Sequence, residues 1–353
     1  MINRKNTSLH RVNWIDFAKG ITILLVIIGH TVSEGFYGGL LRGLIFSFHM
    51  PLFFILSCAT YRCSETMDEY QKKLVRSARY LLMPAVLTFG LDIMLQCLRA
   101  RSFFPDENMH FWIDKLFTFV FASGVSTSYN GFDVALMGIP WFFFALFLGR
   151  SIFDFIHLSC DDDTKTFLYC CVLGMLGILY GKIQWMPFSM DIALAILPFF
   201  YHGYRMKFMH LNERPLRKML IWILVWLIAL TLTFTGHWTY MELAVRRYTL
   251  FPICYIAAIA GTMAVCECSI ILCQLKSIAD PLIFIGKNSM YLLCIHILDG
   301  YWSKVWFIQE HQFDSAIRRL LVDIAIFCFI MLGKRGWLLS SVPPLPGMFT
   351  QKR

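Results

Sequence analysis

Apolar stretches of roughly 15 to 22 residues recur along the whole of this 353-residue chain, near 14–31, 44–61, 80–98, 139–158, 166–181, 187–203, 217–235, 248–268, 281–302 and 319–333. Each approaches the ~20 residues that a helix needs to cross the hydrocarbon of a bilayer. Hydrocarbon offers no hydrogen bonds, so a spanning segment must pair its own backbone groups, which a helix does. The composition agrees, with 58% hydrophobic, 16% aromatic and only 16% charged residues, far from a soluble average. The expected fold is an all-α integral membrane protein, a bundle of about ten transmembrane helices that forms a single domain over residues 1–353. The longest connection, near 99–138, carries the amphipathic piece FWIDKLFTFVF at 111–121, suited to the membrane surface. No small-residue cleavage site follows the first apolar stretch, which is therefore expected to be a retained helix.

A net charge of +9 would suit nucleic acid, but in a membrane chain basic residues mark topology. With the N-terminus inside and ten spans, the internal connections carry twenty Lys and Arg and the external ones ten. That asymmetry predicts both termini in the cytoplasm, and nucleic acid is not expected as a partner. Most of the twelve cysteines fall inside apolar stretches, where a thiol acts as a small apolar filler. The cluster Cys266, Cys268, Cys273 lacks the paired spacing of a zinc site, so no metal is expected.

Polar residues inside such stretches are costly, so they point to function. The first stretch reads DFAKGITILLVIIGH over 16–30. At 100° per residue Lys19 and His30 share one helix face, about 16 Å apart along the axis, with Asp16 one turn below Lys19. Asp16 therefore cannot touch the imidazole as the acid of a catalytic pair. A plainer account has Asp16 and Lys19 at the cytoplasmic mouth and His30 simply at the outer end of the span. Lys72, Arg76 and Arg79 recur at i, i+4 and i+7, a cationic stripe on one helix face that suits phosphates as well as it suits a topological flank.

Three motifs in order, DFAKGITILLVIIGH at 16–30, SFHMPLFFILSC at 47–58 and IGKNSMYLLCIH at 285–296, resemble the membrane-bound acyltransferase 3 family, and within it the fucose 4-O-acetylase-like branch. Pro140-Trp141-Phe142-Phe143 and the basic Arg76-x-x-Arg79 extend the likeness over essentially the whole chain. The family's first-span pattern is a base, usually Arg, ten positions, then His; Lys19 and His30 occupy those positions here. Lys supplies the charge without the planar fork of Arg. Cys58 stands where a Gly commonly follows the Ser.

The resemblance implies transfer of an acyl group, most simply acetyl, from cytoplasmic acetyl-CoA as donor substrate to a hydroxyl of a glycan or lipid-linked sugar beyond the membrane. Lys72, Arg76 and Arg79 are then expected to hold CoA phosphates, and His30 to act as base or as acyl carrier, direct attack in a ternary complex being the simpler course. His49, Trp141 and His296 are candidates for the acceptor side, each with packing as its alternative. The expected location is a cell membrane, the bacterial inner membrane if the likeness extends that far, and a homodimer is compatible with such a bundle. A transporter or flippase would also use many spans with buried charge, and a scaffold without activity is a third reading. A transporter would leave the thioester intact.

Overall fold

The computed structural model describes residues 12–340, apart from 33–34, 103–109, 130–131, 161, 208, 210–213 and 238–239. In chain order come α1 (Asn13–Thr31), α2 (Gly35–Phe46), α3 (His49–Ala59), α4 (Met67–Ala100) and α5 (His110–Phe121). A small antiparallel hairpin, β1 (Thr127–Tyr129) and β2 (Phe132–Val134), precedes α6 (Trp141–Ser159), α7 (Asp163–Ile183), α8 (Met190–Ala195) and α9 (Leu197–Met206). Then follow α10 (Pro215–His237), α11 (Ile253–Leu272), α12 (Lys276–Lys287), α13 (Ser289–Leu298), α14 (Ser303–Trp306) and α15 (Gln312–Ser340).

Local chemistry accounts for where several helices begin. Pro51 is the third residue of α3, a first-turn position whose missing N–H costs nothing. Thr66 caps α4 by accepting from Glu69 N, while the Glu69 carboxylate reaches back to Glu65 N, close to the reciprocal pattern of a capping box. Asp162 caps α7 through Thr164 N.

Among the described residues seven helices are long and apolar enough to cross a membrane, or eight if the bent pair Lys276–Lys287 and Ser289–Trp306 counts as one. That differs from the ten expected. The stretch near 187–203 divides into α8 and α9 at Ile196, and α15 carries Asp314, Arg318, Arg319 and Asp323 in its first half. The bent pair turns by 69°, and its break at Asn288 is flanked by Lys287 and Ser289, which line an internal cavity. Irregular backbone inside a membrane is tolerated in such a place.

The core is aromatic. Phe54 of α3 meets Phe142 of α6 and Phe200 of α9, with ring centroids 5.2 and 5.9 Å apart. At the centre stands α1, which packs against α2, α3, α11, α12, α13 and α15. Its approach to α12 is backbone to backbone. A Cβ on Gly20 would lie 2.0 Å from Leu282 O, and one on Gly286 would lie 1.7 Å from Asp16 O. Small residues permit such contacts between membrane helices, and here they bring the first and last of the sequence motifs together.

Candidate active site

Because α1 crosses the bundle's interior, it carries Asp16 and Lys19 at one end of a cavity and His30 at the other. The cavity has a volume of about 590 Å³, within the range of small-molecule sites. Asp16, Lys19, Thr60, Tyr80, Arg150 and Lys287 line one end; His30, Arg42, His49, Gly124 and Glu242 line the other. Trp141, the first residue of α6, also lines the cavity and lies against Gly124.

Three cations converge at the first end. Lys287 is placed there by the Gly20–Gly286 contact, and Lys19 by the face it shares with His30. Arg150 lies over the Tyr61 ring at 4.9 Å and donates to Ser77 Oγ. The loop under it is fixed by buried Asp154, which accepts from Tyr61 OH at 2.8 Å and from Ser64 N and Oγ at 2.7 Å each. Burial, reinforced by that bond, pushes the Tyr61 hydroxyl above its ordinary range, so it stays a donor.

At the far end His30 exposes its ring to the cavity and is walled by aromatics. Its centroid lies 5.1 Å from Phe46 and 5.4 Å from His296. Phe46 in turn contacts His49 at 4.5 Å. The His49 Nδ1 lies 3.1 Å from Ile45 O, a bond that requires a proton on Nδ1 and leaves Nε2 of the neutral ring as an acceptor. Arg42 sits over Phe46 at 4.0 Å, donates to Gly29 O at 2.9 Å and Tyr240 OH at 2.8 Å, and lies 3.5 Å from Glu242. A guanidinium is thus fixed beside the residue preceding His30.

His296 does not line the cavity. It is buried behind His30, with Nδ1 2.8 Å from Asp299 Oδ2 and 3.6 Å from Asp323. Arg319 binds Asp299 through two contacts of 2.6 Å. One nitrogen and two carboxylates lie within 4.8 Å of one another here, but the Arg319 fork already occupies both oxygens of Asp299.

Asp16, Lys19, His30, His49 and Trp141 therefore share one cavity, as candidates read from the sequence. Lys72, Arg76 and Arg79 do not join them. They are exposed on α4 outside the lining, Lys72 paired with Asp68 at 2.6 Å. Arg42, Arg150, Lys287, Asp299, Arg319 and Asp323 were missed. A signal for part of this set exists in the spacing: His296 and Asp299 at i, i+3 and Arg319 and Asp323 at i, i+4 put polar pairs on single helix faces in apolar surroundings.

An all-helical membrane bundle with a polar cavity alongside its central helix defines a class of integral membrane proteins with an internal binding site. The family model described as an acyltransferase domain, the acyltransferase 3 group, matches residues 12–333, and the chain belongs to that family. No curated protein and no solved structure is similar enough to narrow the assignment.

Proposed function

We propose that this acyltransferase moves an acetyl group from cytoplasmic acetyl-CoA to a hydroxyl of a glycan or lipid-linked sugar at the outer side of the membrane, with His30 as general base. The observation that carries the reading is the single cavity running from three cations, Lys19, Arg150 and Lys287, to an imidazole, His30. Lys19 and His30 are about 16 Å apart along the helix, a distance suited to an extended pantetheine arm.

In this reading CoA phosphates rest at the Lys19, Arg150 and Lys287 mouth, and exposed Arg76, Arg79 and Lys72 raise the local concentration of an anionic donor. The thioester then lies at His30. His30 takes the proton of the acceptor hydroxyl as its oxygen bonds to the acyl carbon. Negative charge developing on the acyl oxygen is stabilised by Arg42, which is held in place before reaction by Tyr240, Gly29 O and Glu242. The carbon–sulfur bond breaks, and the CoA thiolate receives the proton from His30. His49 and Trp141 serve the acceptor, one as hydrogen-bond partner and the other as an apolar platform.

The same reading places both termini in the cytoplasm, on the two-to-one asymmetry of basic residues. Counting the divided α8 and α9 as one crossing and α15 as another brings the eight to ten. Reporter fusions at residues 125 and 353 test it: a periplasm-active reporter silent at 125 and active at 353 reverses the donor side. The activity is tested with purified protein, labelled acetyl-CoA and surface polysaccharide. Label appearing as an alkali-labile ester on the glycan is expected, and its absence, with substrate moved across proteoliposomes while the thioester stays intact, would establish transport instead.

A further inference from the structure

The group behind His30 breaks an ordinary rule of protein interiors. Buried polar atoms are normally hydrogen-bonded, yet His296 Nε2 and both Asp323 carboxylate oxygens are buried without a hydrogen-bond partner. They stand together: Asp323 Oδ2 lies 3.6 Å from His296 Nδ1, and the His296 ring lies beside His30, tilted by 50° with centroids 5.4 Å apart, inside the range of direct ring contact. An isolated buried carboxylate is expensive.

The charges around the pair make the imbalance specific. Arg319 neutralises Asp299 through its two 2.6 Å contacts and is itself held by Thr31 Oγ1 at 3.0 Å and the Trp306 ring at 4.5 Å. Trp306 Nε1 fixes the Asp299 backbone carbonyl at 3.1 Å. With Asp299 and Arg319 forming a neutral pair, Asp323 is the remaining acidic group beside His296. Arg42 and His49 act on His30 itself, from its cavity side.

Resting on the reading of His30 as the base, we propose that His296 is a positioning residue that shares the proton His30 takes, with Asp299 and Asp323 as the counter-charge. Asp299 holds the proton of the neutral ring on Nδ1, which leaves Nε2 as a lone pair available to His30. When the acceptor hydroxyl gives its proton to one nitrogen of His30, the proton on the other nitrogen of His30 passes to His296 Nε2. His30 is again neutral and His296 carries the positive charge, beside two carboxylates. On departure of the CoA thiolate both protons return: His296 gives one back to His30, and His30 gives the other to sulfur. The imidazole contact tightens in the reacting complex, as catalytic hydrogen bonds commonly do.

His296 occupies the place that a carboxylate holds in a Ser-His-Asp arrangement. A divalent cation on the same residues is disfavoured, because it would have to displace the Arg319 fork from Asp299.

The test combines kinetics of His296→Asn, Asp323→Asn and the double variant with a proton inventory of wild-type turnover in mixed light and heavy water. Each single variant is expected to lose at least tenfold in kcat, with the KM for acetyl-CoA within about twofold of wild type. The double variant should lose little more than the worse single one, since groups acting as a unit are not additive. The inventory should be curved, reporting two protons in motion. It needs no variant, so it decides the matter even if Asp323→Asn does not fold. A linear inventory, more than a third of kcat retained in His296→Asn, multiplicative losses, or a stoichiometric bound metal that disappears in Asp323→Asn would each overturn the proposal. An active His30→Asn enzyme would instead overturn the reading beneath it, and an inactive His30→Asn beside an active His296→Asn would sink this inference alone.

Discussion

Replacing Gly286 by Ala adds one methyl group where the backbones of α1 and α12 meet. Its Cβ would meet Asp16 O at 1.7 Å, Asp16 C at 2.6 Å and Gly20 N at 2.9 Å. All three are backbone atoms, so no side chain can rotate away. Real Cβ contacts essentially never fall under 3.0 Å, which means α1 and α12 must part by at least 3.0 − 1.7 = 1.3 Å. Overpacking that side chains can absorb costs about 1–3 kcal/mol, and a displaced helix belongs at the upper end. The better helix propensity of Ala returns about 1 kcal/mol, leaving a net loss of about 2 kcal/mol. At an unfolding entropy of about 2 cal/mol/K per residue over 353 residues, the melting temperature in detergent should fall by about 3 °C. Lys287 moves with α12 away from Lys19, so the KM for acetyl-CoA should rise about tenfold, some 1.4 kcal/mol of binding. Gly90→Ala is the control: nothing lies within 4 Å of its Cβ position, and the change should be neutral or slightly stabilising. If both variants melt like wild type and keep its KM, the α1–α12 contact does not position the cavity mouth.

His30→Asn should lower kcat by about 10²–10⁴-fold while acetyl-CoA binding, measured by calorimetry on detergent-purified protein, stays near wild type. Arg150→Ala should raise the KM for acetyl-CoA more than Arg76→Ala or Arg79→Ala, because Arg150 lines the cavity and the other two do not; the reverse order in steady-state kinetics would return the phosphates to the α4 stripe. Lys19→Arg should keep most activity and Lys19→Met little, judged at matched membrane levels. Burial pushes the Cys63 thiol up to about 11, so its thiolate is scarce at neutral pH. Alkylation followed by mass spectrometry should find Cys63 slow at pH 7.5 and fast only as the pH passes 10.

The bilayer made the helices legible and left their breaks obscure. A run of apolar residues is the same signal whether a helix continues or bends, so nothing in residues 281–302 marked Asn288 as a 69° bend, and 187–203 did not reveal its division at Ile196. His30, Lys19 and Asp16 were readable because one helix carries them and its geometry is fixed. His49 and Trp141 stood out as a polar and an aromatic residue at helix starts marked by prolines, Pro51 two residues after the one and Pro140 just before the other. Arg42 and Arg150 were hidden for a different reason. Arg42 flanks the second apolar stretch, where a basic residue is ordinarily a topological marker, and Arg150 stands alone at the middle of α6; only the packing of α2 and α6 turns them inward. The Asp299–Arg319 pair joins segments twenty residues apart, a separation that local periodicity cannot see.

The length of the cavity also bears on the thermodynamics of the cell. Under the proposed reading, the donor pool and the acceptor pool never mix, and a single enzyme reads the concentration of each on its own side. The extent of modification at the outer surface is then set by the ratio of acetyl-CoA to CoA in the cytoplasm. A fall in that ratio would be written into the envelope as fewer ester groups, without any signalling protein between metabolism and surface.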